Sequence, residues 1–252
     1  MSILSSVQAT DGIRWITGFL DGPDRTAEPL WRAVTGGEWS PRRGPDGAFA
    51  TLVPPDGDAY LRVQVTGDGP ARAHLDLHVA DVPAHTRRAG ELGAVVVSAE
   101  PGLTVLRSPA GLPFCLVTWH GETARPAPVT GDAGRSLVDQ MCLDIPRPVF
   151  DTEADFWSVL TGWTRLHGAS DEFDALVRPD GMPLRLLLQR IGGTLPGMHL
   201  DLASDDRRAE VARHLALGAA HAYDGRDWTT LRDPAGRVYC VTDRRPDTGG
   251  PA

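Results

Sequence analysis

The sequence predicts an α+β protein made of four copies of one strand–helix–three-strand (βαβββ) module, two in each half of the chain. Two observations carry this. His74-Leu75-Asp76-Leu77 returns as His199-Leu200-Asp201-Leu202, and Leu106-Arg107-Ser108-Pro109-Ala110-Gly111 returns as Leu231-Arg232-Asp233-Pro234-Ala235-Gly236, both 125 residues later. Each half also shows the same order of apolar runs and turn residues. Cys115 and Cys240, Gly93 and Gly218, and Gln64 and Gln189 share the offset. Upstream it drifts by a residue or two: Leu30-Trp31 matches Phe156-Trp157, and Pro55-Asp56-Gly57 matches Pro179-Asp180-Gly181. Small loop insertions account for the drift. The chain therefore reads as a tandem duplication with domains at 12–120 and 136–243. The linker at 121–135 has Pro, Gly and small residues but no apolar face to bury, and 244–252 reads as a flexible tail.

The elements follow from local chemistry. In the second half, residues 141–145 read as a strand. Asp151 or Thr152 can cap a helix running to about Thr161, with Gly162 as its stop. Phe156, Trp157 and Leu160 then share one helical face. Strand-like runs follow at 173–177 and 184–189, with Pro179-Asp180-Gly181 between them as hairpin chemistry. A strand at 199–203 comes next, then a helix capped by Ser204 or Asp205 and ended by Gly218. The last two strands are joined by Asp233-Pro234-Ala235-Gly236, which suits a type I turn.

Composition excludes several functions. Twenty-five basic against thirty-three acidic residues leave a net charge of −8 and no basic patch to neutralise phosphates, so no nucleic-acid partner is expected. The 41% of apolar residues include no run long enough to span a bilayer, so no membrane partner is expected either. Met1 to Asp11 shows no export signal, and three cysteines are too few for a disulfide framework. A cytoplasmic protein, monomer or homodimer, is the expectation. Lys is absent, so every fixed positive charge is a guanidinium.

His-Leu-Asp-Leu, a helix ending in Leu-Gly-Ala (Leu92-Gly93-Ala94 and Leu217-Gly218-Ala219), and Leu-Arg-x-Pro-Ala-Gly-x-x-(Phe/Tyr)-Cys recur in that order in both halves. Together they resemble the glyoxalase-like branch of the vicinal oxygen chelate superfamily, which also includes the bleomycin-resistance proteins. The resemblance covers almost the whole chain. It implies that each half pairs two modules into a cupped mixed sheet with helices on the outside. The superfamily holds metal-dependent lyases, isomerases and dioxygenases as well as metal-free drug-sequestering proteins, so the site must choose among them.

In its metal-dependent members, each module offers one ligand from its first strand and one from its last. Carried over residue by residue, His74 and His199 keep the first-strand ligand, but the last strands carry Cys115 and Cys240 where a carboxylate is expected. Gln140 matches the first-strand ligand of the third module, with Arg185 near its carboxylate position; about Trp15 and Arg62 match them in the first half. A guanidinium there repels a cation, and one histidine and one thiol per half are an incomplete set for zinc. No metal is expected on this reading; if one binds, it is at His74, Gln140 and His199. The arginines instead suit a carboxylate, phosphate or enolate.

Strand 74–79 alternates with period two, turning His74, Asp76 and His78 into the cup and Leu75, Leu77 and Val79 to the helix. The second half keeps His199 and Asp201 but has Ala203 for the third polar residue, so the cups differ. Asp76 and Asp201 suit either a ligand or a structural tie to backbone or arginines. Each His suits a general base, a ligand clamp or a satisfied buried group. Cys115 and Cys240 sit in apolar strands as small hydrophobes, or as nucleophiles if a His pairs with them. Trp31 and Trp157 read as core, and Trp228, which replaces Leu103, reads as core too or as the aromatic placed to stack on a ligand. The expected function is thus a metal-independent protein that binds a planar or anionic small molecule, in drug sequestration or secondary metabolism, with no cofactor. The alternative is a divalent-metal lyase, isomerase or dioxygenase. On a third reading, one half is a scaffold for the other's cup.

Overall fold

A computed structural model describes residues 12–250; the stretch read for an export signal, Met1–Asp11, lies outside them. All four modules form. The first is β1 (Trp15–Gly22), α1 (Glu28–Thr35), β2 (Glu38–Trp39), β3 (Phe49–Val53) and β4 (Leu61–Val65). The second is β5 (Arg72–Val79), α2 (Val82–Glu91), β6 (Val95–Glu100), β7 (Leu103–Arg107) and β8 (Pro113–Thr118). A short β9 (Val129–Gly131) precedes the third: β10 (Gly134–Pro146), α3 (Phe150–Thr161), β11 (Arg165–His167), β12 (Phe173–Leu176) and β13 (Arg185–Ile191). The fourth is β14 (Gly197–Ser204), α4 (Arg207–Ala216), β15 (Ala220–Asp224), β16 (Trp228–Arg232) and β17 (Val238–Thr242).

Each half makes one mixed sheet. The orders are β2-β3-β4-β1-β5-β8-β7-β6 and β11-β12-β13-β10-β14-β17-β16-β15, with β9 added beside β10. The first strands of paired modules lie antiparallel at the centre, β1 on β5 and β10 on β14, and each runs parallel to the last strand of its own module. The turns keep their expected form: Gly111 N donates to Ser108 O and Gly236 N to Asp233 O, both at 2.8 Å.

Helix starts differ from expectation. α3 begins at Phe150 with Val149 before it and no side-chain cap, so Asp151 lies in the first turn and favours the helix through its dipole instead. α4 is capped by Asp206, whose carboxylate accepts from Ala209 N at 3.0 Å, rather than by Ser204 or Asp205. Ser204 is the last residue of β14, and the Asp205 carboxylate is taken by Arg135. Gly162, at φ 72°, does stop α3. Segment 121–135 is tied down by Asp58, which accepts from Thr123 N and Ala124 N, and by the β9–β10 ladder. Of the tail expected to be flexible at 244–252, the described residues 244–250 fold back: Arg244 donates to Gln140 and Asp139, and Gly249 O accepts from Arg185.

The convex faces of the two sheets meet in one continuous apolar core. Gly18 of β1 makes the close approach, because a Cβ there would lie 3.1 Å from Leu200 Cδ2, 3.3 Å from Leu184 Cδ1 and 3.4 Å from the Met141 terminal methyl. α1 and α3 reach across the seam. Trp31 packs on Tyr239 and donates to Asp233 Oδ2 at 2.9 Å, while Trp157 packs on Phe114. Arg237 pairs with Asp233 and donates to the carbonyls of Asp21 and Arg72. Arg213 of α4 donates to Ala33 O and Val34 O at the end of α1.

Two predictions follow from the seam. Gly18→Leu overfills it and should lower stability by about 1–3 kcal/mol in chemical denaturation, with a cooperative transition retained. Glu210, beneath α4, is pushed up by burial, but hydrogen bonds from His214 and Arg213 outweigh this and hold its carboxyl down at about 2. A depressed carboxyl stabilises the fold above its ordinary value near 4.5 and loses that contribution as pH falls toward 2. Glu210→Gln should therefore cost up to about 3 kcal/mol at pH 7. The gap from the parent should close as unfolding is measured at pH 4, 3 and 2.

Candidate functional site

Alternate residues of the two central strands converge on the concave face of each sheet. In the second cup, Gln140 and Cys142 of β10 stand opposite Asp201 and His199 of β14, and Cys240 of β17 pairs beside Asp201. Phe173 of β12, Arg185, Leu187 and Gln189 of β13, Trp228 of β16 and Arg244, with Asp227 and Thr242, complete the wall of a cavity of about 220 Å³. Phe173 and Trp228 meet edge to face with centroids 5.7 Å apart, giving the rim two aromatic surfaces.

The polar groups form one chain. His199 Nδ1 donates to Asp201 Oδ1 at 2.8 Å, Gln140 Nε2 donates to the other Asp201 oxygen, and Arg244 Nη1 donates to Gln140 Oε1 at 2.6 Å. His199 Nε2 lies 3.8 Å from Asp144. Burial disfavours charge on His199, but Cys142 and Asp201 outweigh it and hold the imidazole well above its ordinary value. Burial pushes the Asp144 carboxyl up. Arg185 donates to Gly249 O at 3.0 Å, and no carboxylate among the described residues pairs with it. Burial and the neighbouring Arg244 pull its guanidinium below the usual range. An imidazole biased toward its cationic form on Asp201 and an arginine outside ion-pair distance of any described carboxylate thus face the same cavity.

The first cup carries the same His-x-Asp pair but packs a ring against its histidine. Phe19, opposite His74 where the second cup has Cys142, stacks on that imidazole at 4.4 Å and 14°. Arg62 lies over the Phe19 ring at 5.9 Å and reaches Asp76 at 3.8 Å. His74 Nδ1 donates to Asp21 at 2.8 Å. Burial pulls His74 down, yet Asp21 outweighs it and holds the ring above its ordinary value. His78 hydrogen-bonds Thr17 at 2.8 Å and lies 3.6 Å from Glu122; burial and Arg62 hold it down at about 4.

The structure thus divides the residues that the sequence groups together. Arg62, His74, Asp76, His78 and Cys115 belong to the first cup; Gln140, Arg185, His199, Asp201, Trp228 and Cys240 belong to the second. His74 and Gln140 stand in different cups, so the expected trio of His74, Gln140 and His199 cannot share one ion. Trp15 is not the counterpart of Gln140: Thr17 stands opposite Asp76 as Gln140 stands opposite Asp201, while Trp15 is buried and bonds Ala59 O. Arg62 pairs with Phe19 but Arg185 with Gln140, so these arginines are not equivalent either. Cys142, Phe173, Gln189 and Arg244 are additional wall residues. The period-two alternation from Gln140 would have found Cys142; nothing local signals Arg244, which arrives through the returning C-terminal segment.

A model of the glyoxalase-like domain matches residues 19–117 and again 140–242. No curated protein sequence matches the chain. Among solved structures, the chain is similar to the Mn(II)-bound glyoxalase from Novosphingobium aromaticivorans, with TM-score 0.64 and 18% identity over 92% of this chain and 82% of that one. It is also similar to the 2,3-dioxygenase LapB from Pseudomonas sp. KL28, with TM-score 0.61 and 12% identity over 93% of each. A third is a 4-hydroxymandelate synthase mutant from Streptomyces coelicolor, with TM-score 0.55, 17% identity, and 95% and 94% coverage. These likenesses are of fold.

The thiols face a common constraint. Cys115, Cys142 and Cys240 are free and buried, and burial pushes each up, Cys142 to about 12 and Cys115 further with the help of Asp76. None is poised as a thiolate at neutral pH. Ellman's reagent at pH 8 should therefore label the native chain at least about 100-fold more slowly than the chain in guanidinium, where three equivalents react. Rapid native labelling of Cys115 or Cys240 would restore the nucleophile reading.

Proposed function

The chain belongs to the glyoxalase-like domain family through both of its halves, and from that footing we propose that it binds a small planar, anionic or carbonyl-bearing organic compound in its second cup without a metal. One observation carries the reading: Arg185, half-buried on the cavity wall, spends a hydrogen bond on a backbone carbonyl and, among the described residues, has no carboxylate at ion-pair distance, Asp139 and Asp201 acting on it only from further off, next to a histidine held toward its cationic form. A charge in that setting is costly unless an anion or polarised carbonyl meets it. Phe173 and Trp228 offer ring faces and edges to a flat group, and Arg185 offers the donors that orient its oxygen atoms. His199 can donate a hydrogen bond or a proton to such an oxygen, with Asp201 holding the ring from Nδ1. Sequestration of a drug-like compound or a step in secondary metabolism suits this arrangement.

The donor set argues against a hard divalent cation. Both Asp201 oxygens are taken by His199 and Gln140, Gln140 in turn accepts from Arg244, and the strand position beside Asp201 offers the neutral thiol of Cys240 where a carboxylate would serve. One observation favours a second reading, that of a divalent-metal enzyme: ligand atoms of Cys142, His199 and Asp201 all lie within 4.8 Å of one another. Elemental analysis of protein purified without chelator separates the two. Substoichiometric metal is expected; a full equivalent per chain, lost in His199→Ala, would establish the second reading.

Binding itself is testable with aromatic carboxylates, read by quenching of indole fluorescence with Trp228→Phe as the control. Arg185→Ala should weaken the best of them by roughly 1.5–3 kcal/mol, the scale of a hydrogen bond to a charged group. Native mass spectrometry of freshly purified chain should show a retained compound that the same variant releases. Unchanged affinity in Arg185→Ala would remove this residue from the site.

A further inference from the structure

Behind the second cup four arginines converge. Arg125, Arg178 and Arg185 line a separate cavity of about 510 Å³ with Met182, Asp247 and Thr248, and Arg244 stands alongside, close enough to repel both Arg178 and Arg185. Arg185 lines this cavity and the cup alike. In a chain of net charge −8, this is a local excess of positive charge.

The partners of these guanidiniums are chiefly carbonyls. Arg125 donates to Asp247 O and Pro246 O, Arg178 to Asp139 O and Pro183 O, and Arg185 to Gly249 O. The buried Asp139 carboxylate pairs with Arg244. Two carboxylates line the cavity besides: Asp247, engaged by Arg135 at 3.5 Å, and the exposed Asp180. Nε of Arg125 and of Arg244 are buried without a hydrogen-bond partner. Burial, followed by the neighbouring arginines, holds Arg178 down at about 10, with Asp139 opposing them. Guanidiniums gathered this way form a fork-like cradle for a polyvalent oxyanion.

We propose that the cavity lined by Arg125, Arg178 and Arg185 is an oxyanion site that takes a phosphate group. This goes beyond the reading of the cup and stands without it. The phosphate is either free or the terminus of a ligand whose flat portion lies in the cup, because Arg185 faces both spaces.

The test uses the full chain with inorganic phosphate, sulfate, phenyl phosphate and chloride at matched ionic strength, read by thermal shift and titration calorimetry. Phosphate should raise Tm saturably where chloride does not. Arg178→Gln and the more exposed Arg125→Gln should each weaken phosphate at least 10-fold, with Arg178→Lys falling between. Phenyl phosphate binding at least 10-fold tighter than phosphate, with the gain lost in Trp228→Ala, identifies the terminus of a cup ligand. Equal binding of the two identifies free phosphate. No shift beyond that of chloride, or a shift unchanged in folded Arg125→Gln, overturns the site. Because neither arm with inorganic phosphate depends on Trp228 or on aromatic carboxylates, failure here is distinct from failure of the cup reading.

Discussion

The buried Arg237–Asp233 pair is the contact on which the arrangement of the two halves turns. Both side chains are almost fully buried, and each is satisfied by the opposite half: Asp233 by the Trp31 indole, Arg237 by the carbonyls of Asp21 and Arg72. Removing either partner would strand a charge inside the seam, which costs more than an unmade surface ion pair. The pseudo-equivalent place is built differently. Ser108 and Leu112 replace Asp233 and Arg237, and the carboxylate comes from α3, where Glu153 accepts from Trp157 Nε1 and Ala110 N. Each indole thus keeps one buried carboxylate, supplied by the turn on one side and by the helix on the other.

That asymmetry reaches the cups. Arg237 fastens the β1 backbone at Asp21, whose carboxylate receives His74 Nδ1, so the rim of the first cup is clamped to the seam. In the second half, Asp144 occupies the corresponding place, is partly exposed, and lies 3.8 Å from His199 Nε2 without a comparable clamp. His199 turns Nδ1 to Asp201 instead. In one cup a ring and an arginine pack about the histidine, and the other has a cavity between its aromatic wall and its guanidiniums.

The fold was legible because it is written twice. His-Leu-Asp-Leu and Leu-Arg-x-Pro-Ala-Gly mark a strand and a turn that recur at a constant offset, and small-residue hairpin chemistry separates the rest. Register in the central strands was not legible. The 125-residue offset of the later motifs pairs Gln140 with Trp15, but the ladders pair it with Thr17, because the connections between these first strands and the later motifs differ in length; a bulge between Val138 and Gln140, which leaves Asp139 outside the ladder, adds a further slip. Contacts across the seam were invisible for another reason: nothing local in α1 says that Trp31 will meet Tyr239 rather than its own sheet. The path of Arg244 to Gln140 likewise depends on the whole second sheet being in place.

The two His-Leu-Asp-Leu segments show how far identical sequence goes toward identical chemistry. Backbone and register are shared, and both histidines face their cups. What differs is the residue directly opposite: Phe19 covers His74 with a ring, while Cys142 leaves His199 open to the cavity. A benzyl group is several methylenes larger than a thiol, so Phe19 covers a ring face that Cys142 cannot. Arg62, packed over that ring, then reaches Asp76, whereas in the second cup Asp201 answers to Gln140 and Arg185 is left to face the cavity. The chemistry of each cup is therefore decided less by the repeated motif than by one side chain on the neighbouring strand and by what that side chain lets the arginines do.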